Sequence, residues 1–155
     1  MTIIAKMTSK RVSYTLASTL DSVNMAEEAA DHIAAKIGFD EEDRHKISMS
    51  VREAIVNAVL HGNEYDPKKR VTVSFENAGD ALVIAVTDEG KGLDEKDIPD
   101  PLAPENLLKQ SGRGIFLIRP FMDEVRFRAL DPGTEITLVK HFRGDDAANG
   151  KEASK

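Results

Sequence analysis

Two pairs of alternating apolar segments, each joined by a short turn, constrain the fold of this chain more than any other feature. The four segments are residues 71–75, 81–87, 124–129 and 134–142. The turn-forming residues between them lie within 77–80 and 131–133. Alternation along the chain is typical of strands, and strands joined by such short turns are antiparallel. A mixed segment, residues 11–18, predicts a further strand at the edge of the same sheet.

Two helical patterns lie between the first strand and the first strand pair. One is predicted to run to Ile37 from an N-cap at Asp21 or Ser22. The other is predicted to begin at the N-cap Asp40 and to continue as far as His61. Acidic residues follow this second cap, where negative charge suits the helix dipole.

A long loop and a short third helix separate the two strand pairs. Residues 93–111 contain three prolines and no sustained period, which is typical of a functional or disordered loop. A short helical pattern follows within residues 115–121. Three helices on one face of a mixed, mostly antiparallel sheet predict an α+β fold, a two-layer sandwich. Residues 11–142 would form this single domain, with flexible ends at residues 1–10 and 143–155.

Composition excludes several kinds of partner and compartment. The chain has 155 residues, of which 21 are basic and 27 acidic, so its formal charge of −6 argues against binding to nucleic acid or to an anionic membrane. It has no cysteine and therefore neither disulfides nor a thiolate metal site. No apolar stretch is long enough for a signal sequence or a membrane span, and we expect a cytoplasmic protein.

The most informative motif is a ladder of polar side chains on the second helix. Glu53, Asn57 and His61 are spaced four residues apart between apolar neighbours, which places them on one side of an α-helix. The Asn57 carboxamide oxygen could be one ligand of Mg²⁺, with water and nucleotide phosphates as the others. Glu53 could accept a proton as a general base. His61 is expected to be structural, and the ladder alone could also be a solvated helix face.

Two glycine clusters follow in the chain. Asp88 ends a buried strand pattern, and Gly90 and Gly92 after it would let the backbone approach a ligand closely. The Asp88 carboxylate could accept a hydrogen bond from the amino group of adenine. Gly112 and Gly114 open a helical pattern, whose free N–H groups attract phosphate.

Three cations lie in or near the two glycine clusters and could neutralise the outer phosphates. They are Lys91, Lys109 and Arg113. Each cluster alone could equally be an ordinary turn.

Taken in order, these motifs resemble the Bergerat-fold ATPases shared by gyrase, heat-shock chaperones, mismatch-repair proteins and histidine kinases. The resemblance covers residues 11–142 and includes Gly133-Thr134 at the start of the last strand. Within that superfamily, residues 51–62 and 112–123 are most similar to the free-standing anti-sigma-factor serine kinases.

The resemblance implies a role for each matching residue. Asn57 would be the magnesium ligand, Glu53 the base, Asp88 the adenine anchor, and Thr134 a neighbour of the adenine. The pocket would be shaped by Gly90, Gly92, Gly112 and Gly114. Members of this family bind ATP or ADP, sequester a sigma factor, and phosphorylate a serine of a small anti-anti-sigma protein of the STAS type. Similar proteins are often homodimers.

One departure from the family pattern leaves an alternative open. Some of these kinases carry Glu-Arg shortly before the second glycine cluster, where this chain has Lys109-Gln110. If that arginine assists transfer, Arg113 or Lys109 would have to replace it. The alternative function is an ATP/ADP-dependent protein-binding switch with little or no kinase activity. A histidine kinase is disfavoured because none of the histidines lies in a separate dimerising helical hairpin.

Overall fold

A six-stranded antiparallel sheet forms one layer of the protein. The computed structural model describes residues 4–7, 10–90 and 118–142, with side chains for the last two ranges. The strands are β1 (Ile4–Met7), β2 (Arg11–Ala17), β3 (Arg70–Asn77), β4 (Ala81–Thr87), β5 (Glu124–Ala129) and β6 (Thr134–His141). Their order in the sheet is β1-β2-β3-β4-β6-β5. The predicted strand pairs are therefore confirmed, and all five strand pairings are antiparallel.

The amino-terminal strand corrects two predictions. Ile4–Met7 lie within the segment expected to be flexible, yet they pair with β2, with Met7 opposite Val12. β2 also pairs with β3 along its whole length, so it is an interior strand rather than the predicted edge strand. Four residues are too few to show an apolar period, and their strand is stabilised by backbone hydrogen bonds to a neighbour.

Two long helices form the second layer, α1 (Leu20–Ile37) and α2 (Glu41–Val56). The N-cap of α1 is Thr19, whose hydroxyl accepts a hydrogen bond from Ser22 N at 3.3 Å, so the predicted caps at Asp21 or Ser22 were wrong. Asp40 caps α2 as predicted, because its carboxylate accepts from Asp43 N at 2.8 Å.

Both helices bury a regular face against the sheet. In α1 the buried face is a stripe of alanines four residues apart, which are Ala26, Ala30 and Ala34. In α2 it consists of Ile47, Val51, Ala54 and Ile55. The sheet contributes alternate residues of its central strands, including Val71, Val73, Phe75, Ile84 and Leu138. This core joins the two layers, as expected for a two-layer sandwich.

The predicted third helix is represented in the described part of the chain by a short helical segment. Ile118 is buried in a helical position, and a 3-10 turn follows at Arg119–Phe121. The described residues thus contain two long helices rather than three. The rest of the pattern within residues 115–121 lies outside the described residues, as does the predicted loop at 93–111.

Candidate functional site

The helix that carries the polar ladder changes its geometry at the ladder itself. The α-helix ends at Val56, and Asn57–Gly62 form a π-helical turn. A π-helical turn contains more residues than an α-helical one and often marks a functional site. The four-residue spacing therefore aligns Glu53 with Asn57 but does not complete a turn between Asn57 and His61. The predicted ladder holds for its first two members, and His61 is exposed.

The orientation of the Asn57 side chain follows from one hydrogen bond. Its Nδ2 atom donates to the backbone oxygen of Glu53 at 2.8 Å. This contact assigns the nitrogen end of the amide to the helix and leaves the oxygen Oδ1 at the other end. Within the described residues, the Glu53 carboxylate makes no hydrogen bond or ion pair and is half-buried. An amide oxygen and a carboxylate therefore remain as acceptors, one helical turn apart.

Asp88 lies at the end of β4, where the sheet meets the π-helical turn. Its side chain is buried, and its Oδ1 atom accepts a hydrogen bond from Gly90 N at 2.9 Å. Its backbone N–H donates to Thr134 O at 3.0 Å, which joins it to the start of β6. Burial raises the pKa of the Asp88 carboxyl above its usual value, although backbone hydrogen bonds from Gly90 and Thr134 and the nearby charge of Lys69 oppose the increase.

Three glycines surround Asp88 at close range. A Cβ atom at Gly62 would lie 2.9 Å from Asp88 Oδ1 and still closer to Oδ2. A Cβ atom at Gly133 would collide with the Asp88 carbonyl oxygen, and one at Gly90 would collide with the carbonyl oxygen of Gly62. Three segments distant in sequence therefore meet around Asp88, with Gly62 against its carboxylate and Gly133 against its backbone carbonyl, and none of the three glycines has room for a side chain.

Five of the ten residues predicted for the site lie in the described part of the chain, in two groups that meet where Gly62 lies against Asp88. Glu53 and Asn57 lie at the end of the second helix, and Asp88, Gly90 and Thr134 lie at the adjoining ends of β4 and β6. The other five residues fall outside the described part of the chain. They are Gly92, Lys109, Gly112, Arg113 and Gly114.

Sequence reasoning did not assign three residues that shape this site. Gly62 and Gly133 were part of the motifs but had no role of their own, and their close approach to Asp88 depends on the packing of the sheet. Asn63 lies just outside the helix motif, which ends at Gly62. It is 1% exposed and accepts a hydrogen bond from Glu89 N, beside Asp88. A polar residue in the turn after a helix was the only sequence signal for it.

Among the described residues, the Asn57 amide oxygen is a group that could hold a metal ion. No group of three or more histidine, aspartate or glutamate side chains in residues 10–90 and 118–142 could hold a metal. A single amide oxygen is a suitable ligand when phosphates and water supply the others.

Among residues 10–90 and 118–142, none of the helices has the length and apolar character needed to cross a membrane.

The fold and this arrangement of motifs define the protein as a histidine kinase-like ATPase. The family described as "Histidine kinase-like ATPase domain" matches residues 16–140, which is most of the chain. The chain therefore belongs to this family.

Two curated relatives narrow the comparison. The serine-protein kinase RsbW of Bacillus licheniformis is 32% identical over 124 residues, which cover 76% of this chain and 77% of the relative. The anti-sigma F factor of Anoxybacillus flavithermus is 36% identical over 102 residues, which cover 63% of this chain and 68% of the relative.

Two solved structures support the fold. The crystal structure of the RsbU and RsbW domains of Rv1364c from Mycobacterium tuberculosis matches with a TM-score of 0.64 and 22% identity, covering 87% of this chain and 33% of the other. The catalytic domain of histidine kinase ThkA, in a nucleotide-free form, matches with a TM-score of 0.55 and 11% identity, covering 91% and 96%. This chain spans about one third of the former. At these identities, the two structures bear on the fold alone.

Proposed function

We propose that this protein is an ATP-dependent protein-serine kinase of the anti-sigma-factor type. It transfers the γ-phosphate of ATP to a serine of an anti-anti-sigma protein of the STAS type and sequesters a sigma factor. The names of the two curated relatives, a serine-protein kinase and an anti-sigma factor, support this proposal. Its working unit is the domain of residues 11–142, extended by the paired strand β1.

The observation that carries the proposal is the hydrogen bond from Asn57 Nδ2 to Glu53 O. It leaves the amide oxygen available to a hard cation, and one helical turn earlier the Glu53 carboxylate has no partner among the described residues. A metal ligand and a proton acceptor side by side are what phosphoryl transfer to a hydroxyl requires from a protein.

The nucleotide base is held at the other end of the site. The Asp88 carboxylate accepts a hydrogen bond from the exocyclic amino group of adenine, which selects adenine over guanine. Gly90 and Gly92 let the backbone lie against the nucleotide, and Thr134 lies beside the adenine. The close approach of Gly62 to the Asp88 carboxylate and the hydrogen bond that this carboxylate accepts from Gly90 N support this role, because they restrict its orientation.

Transfer itself depends on position and charge neutralisation. Glu53 accepts the proton of the substrate serine hydroxyl while the serine oxygen forms a bond to the γ-phosphorus. The bond between the γ-phosphorus and the β–γ bridging oxygen breaks, and ADP leaves. Mg²⁺ on Asn57 would neutralise phosphate charge. Lys109 and Arg113 act as cations toward the outer phosphates, and Gly112 and Gly114 provide backbone N–H groups.

The partners follow from the same proposal. Binding of ATP or ADP selects between the sigma factor and the STAS protein, and the protein acts in the cytoplasm. The absence of a strong basic excess, with a formal charge of −6, supports protein partners over direct contact with nucleic acid. A homodimer is also part of the proposal.

The test combines binding and transfer. Calorimetry should detect ATP binding that is tighter with Mg²⁺ than without it. Incubation with γ-labelled ATP and a purified STAS-domain protein should then place the label on a serine of that protein. If the native chain binds no ATP in either condition, the nucleotide site is refuted.

The second candidate function is a nucleotide-dependent binding switch without useful transfer. Gln110, at the place where some family members have arginine, favours it. In the same experiment, this function predicts association with the STAS protein that depends on ATP but leaves it unlabelled. Restoring label with Gln110→Arg would identify the missing cation as the cause.

A further inference from the structure

Asn63 follows the π-helical turn directly and is almost completely buried, with 1% exposed. Its side chain uses both ends of the amide. Oδ1 accepts a hydrogen bond from Glu89 N at 2.8 Å, while Nδ2 donates to Ser18 Oγ at 2.9 Å and to Arg70 O at 3.0 Å. Three segments far apart in sequence therefore meet at one side chain, at the ends of β2, β3 and β4.

Three of these residues form a closed ring of hydrogen bonds. Asn63 accepts from Glu89 N and donates to Arg70 O, and the ring closes because Arg70 N donates to Glu89 Oε1 at 2.5 Å. The Asn63 amide is buried and its oxygen and both its N–H groups are satisfied, so each of its hydrogen bonds would be costly to lose, whereas the Arg70–Glu89 bond that closes the ring is exposed. The ring therefore holds the backbone of Glu89 in one orientation.

The ring acts on the nucleotide site through the backbone. Two successive N–H groups at the end of β4 are fixed, because Asp88 N donates to Thr134 O and Glu89 N donates to Asn63 Oδ1. The Asp88 side chain projects from between these two anchors, and Gly90 N donates back to its carboxylate. A change in the direction of the Glu89 N–H would rotate the intervening peptide and turn the Asp88 carboxylate.

We propose that Asn63 is a positioning residue of the nucleotide site: through Glu89 N, it sets the direction in which Asp88 meets the adenine base. This inference rests on the proposed ATP site and adds a residue that the site assignment lacked. Asn63 contacts no reacting atom, so its effect falls on the affinity and selectivity for the base and not on the transfer step.

Asn63→Ala tests the inference, and Ser18→Ala is its matched control. Asn63→Ala removes the acceptor of Glu89 N, whereas Ser18→Ala removes one partner of the Asn63 amide and leaves the Oδ1–Glu89 bond intact. Both lose buried hydrogen bonds and both should unfold at lower urea concentration. A role limited to stability predicts that they behave alike in every other measurement.

If Asn63 is a positioning residue, the variants Asn63→Ala and Ser18→Ala should differ in nucleotide binding. Asn63→Ala should raise the Kd and KM for ATP about tenfold, leave kcat unchanged, and reduce the preference for ATP over GTP. Ser18→Ala should remain within about twofold of the native protein in all three. Asn63→Asp retains an acceptor for Glu89 N and should recover most of the affinity lost in Asn63→Ala. Equal ATP affinity and selectivity in Asn63→Ala and Ser18→Ala would overturn the inference.

Amide hydrogen exchange in the nucleotide-free protein separates this inference from the proposed function. The Glu89 amide should be protected in the native chain and in Ser18→Ala, and should exchange at least tenfold faster in Asn63→Ala. If the alanine variant does not fold, an unprotected Glu89 amide in the native chain would still refute the role. If the Glu89 amide is protected as predicted but the native chain binds no ATP, the proposed ATP site is refuted. The structural part of the inference, that Asn63 fixes the backbone of residues 88–90, would still be supported.

Discussion

The α-carbon of Gly62 lies against the carboxylate of Asp88. A Cβ atom added at Gly62 would be 2.9 Å from Asp88 Oδ1 and closer to Oδ2, a separation that real Cβ atoms almost never show. Gly62 ends the helical segment that carries Glu53 and Asn57, and Asp88 follows β4. The two halves of the candidate site are therefore in direct contact, and the absence of a side chain at Gly62 permits it.

Gly62→Ala should disrupt the site. The new methyl group would displace the Asp88 carboxylate or separate the helix from β4, so we expect ATP binding to weaken by at least tenfold and to become undetectable if the carboxylate turns away. Gly79→Ala is the control, because a Cβ there meets nothing within 4 Å. Because Gly79 has a φ of +94°, alanine there should lower the free energy of unfolding by about 1 to 2 kcal/mol and leave the ATP affinity unchanged. Calorimetry and urea unfolding measure the two effects.

The raised pKa of Asp88 predicts an acid limit for ATP binding. The buried carboxyl takes up a proton at higher pH than an exposed aspartate, and the protonated form no longer offers a charged acceptor to the adenine amino group. ATP affinity should therefore fall as pH falls through the Asp88 pKa. Because binding favours the ionised form, it should also release protons near that pH. Calorimetry in buffers of different ionisation enthalpy measures this release.

Asp88→Asn should separate binding from stability. Because burial raises the pKa of Asp88, its ionised form is less favourable in the folded protein than in the unfolded one. Above that pKa the charge therefore lowers the free energy of unfolding, and this loss disappears at lower pH, where the carboxyl is protonated. The asparagine variant should unfold at the same or higher urea concentration near pH 7. It should bind ATP about 10- to 100-fold more weakly and lose the acid limit. Weaker folding together with unchanged ATP binding would contradict the assignment of the adenine anchor.

Asn57→Ala should remove the effect of magnesium on nucleotide binding. The native protein is expected to bind ATP more tightly with Mg²⁺ than without it, and the variant should bind equally in both conditions. It also loses the hydrogen bond to Glu53 O, at a cost of about 1 kcal/mol in unfolding free energy. Titration of each protein with ATP in Mg²⁺ and in EDTA is the measurement. A retained response to Mg²⁺ would place the ligand elsewhere.

Glu53→Gln should slow phosphoryl transfer without affecting nucleotide binding. The change keeps the size of the side chain but removes the proton acceptor, so we expect transfer to fall by about 10²- to 10⁴-fold. Single-turnover transfer of label from ATP to a STAS-domain protein measures it. Glu28→Gln is a suitable control, since Glu28 is exposed on α1 and its replacement should leave transfer unchanged. Native transfer rates in Glu53→Gln would rule out this base.

Local patterns predicted those parts of the fold that depend on neighbouring residues. The period of the apolar residues identified α2 and the strand pairs, and Asp40 was correctly identified as a cap. The prediction of the α1 N-cap was wrong because one short segment contains three suitable cap residues, Thr19, Asp21 and Ser22. Which of them caps the helix depends on where β2 ends, since Ser18 is held by its hydrogen bond to Lys69 O.

The site was predictable only in its contiguous parts. The spacing of Glu53 and Asn57 follows from helical geometry, and the structure retains it up to the point where the helix widens. The role of Asn63 was not predictable, because all the partners of its side chain are supplied by other segments. No periodicity or turn preference carries that information.

By itself, the sequence determined the order of the elements from β2 to β6, the polar pair on the second helix and the positions of the glycine clusters, because helix period and turn chemistry are properties of adjacent residues. Only the tertiary structure decided how these parts meet. β6 lies between β4 and β5, and this order places Gly133 and Thr134 against Asp88. Burial there raises the pKa of Asp88, and burial depends on the packing of distant segments.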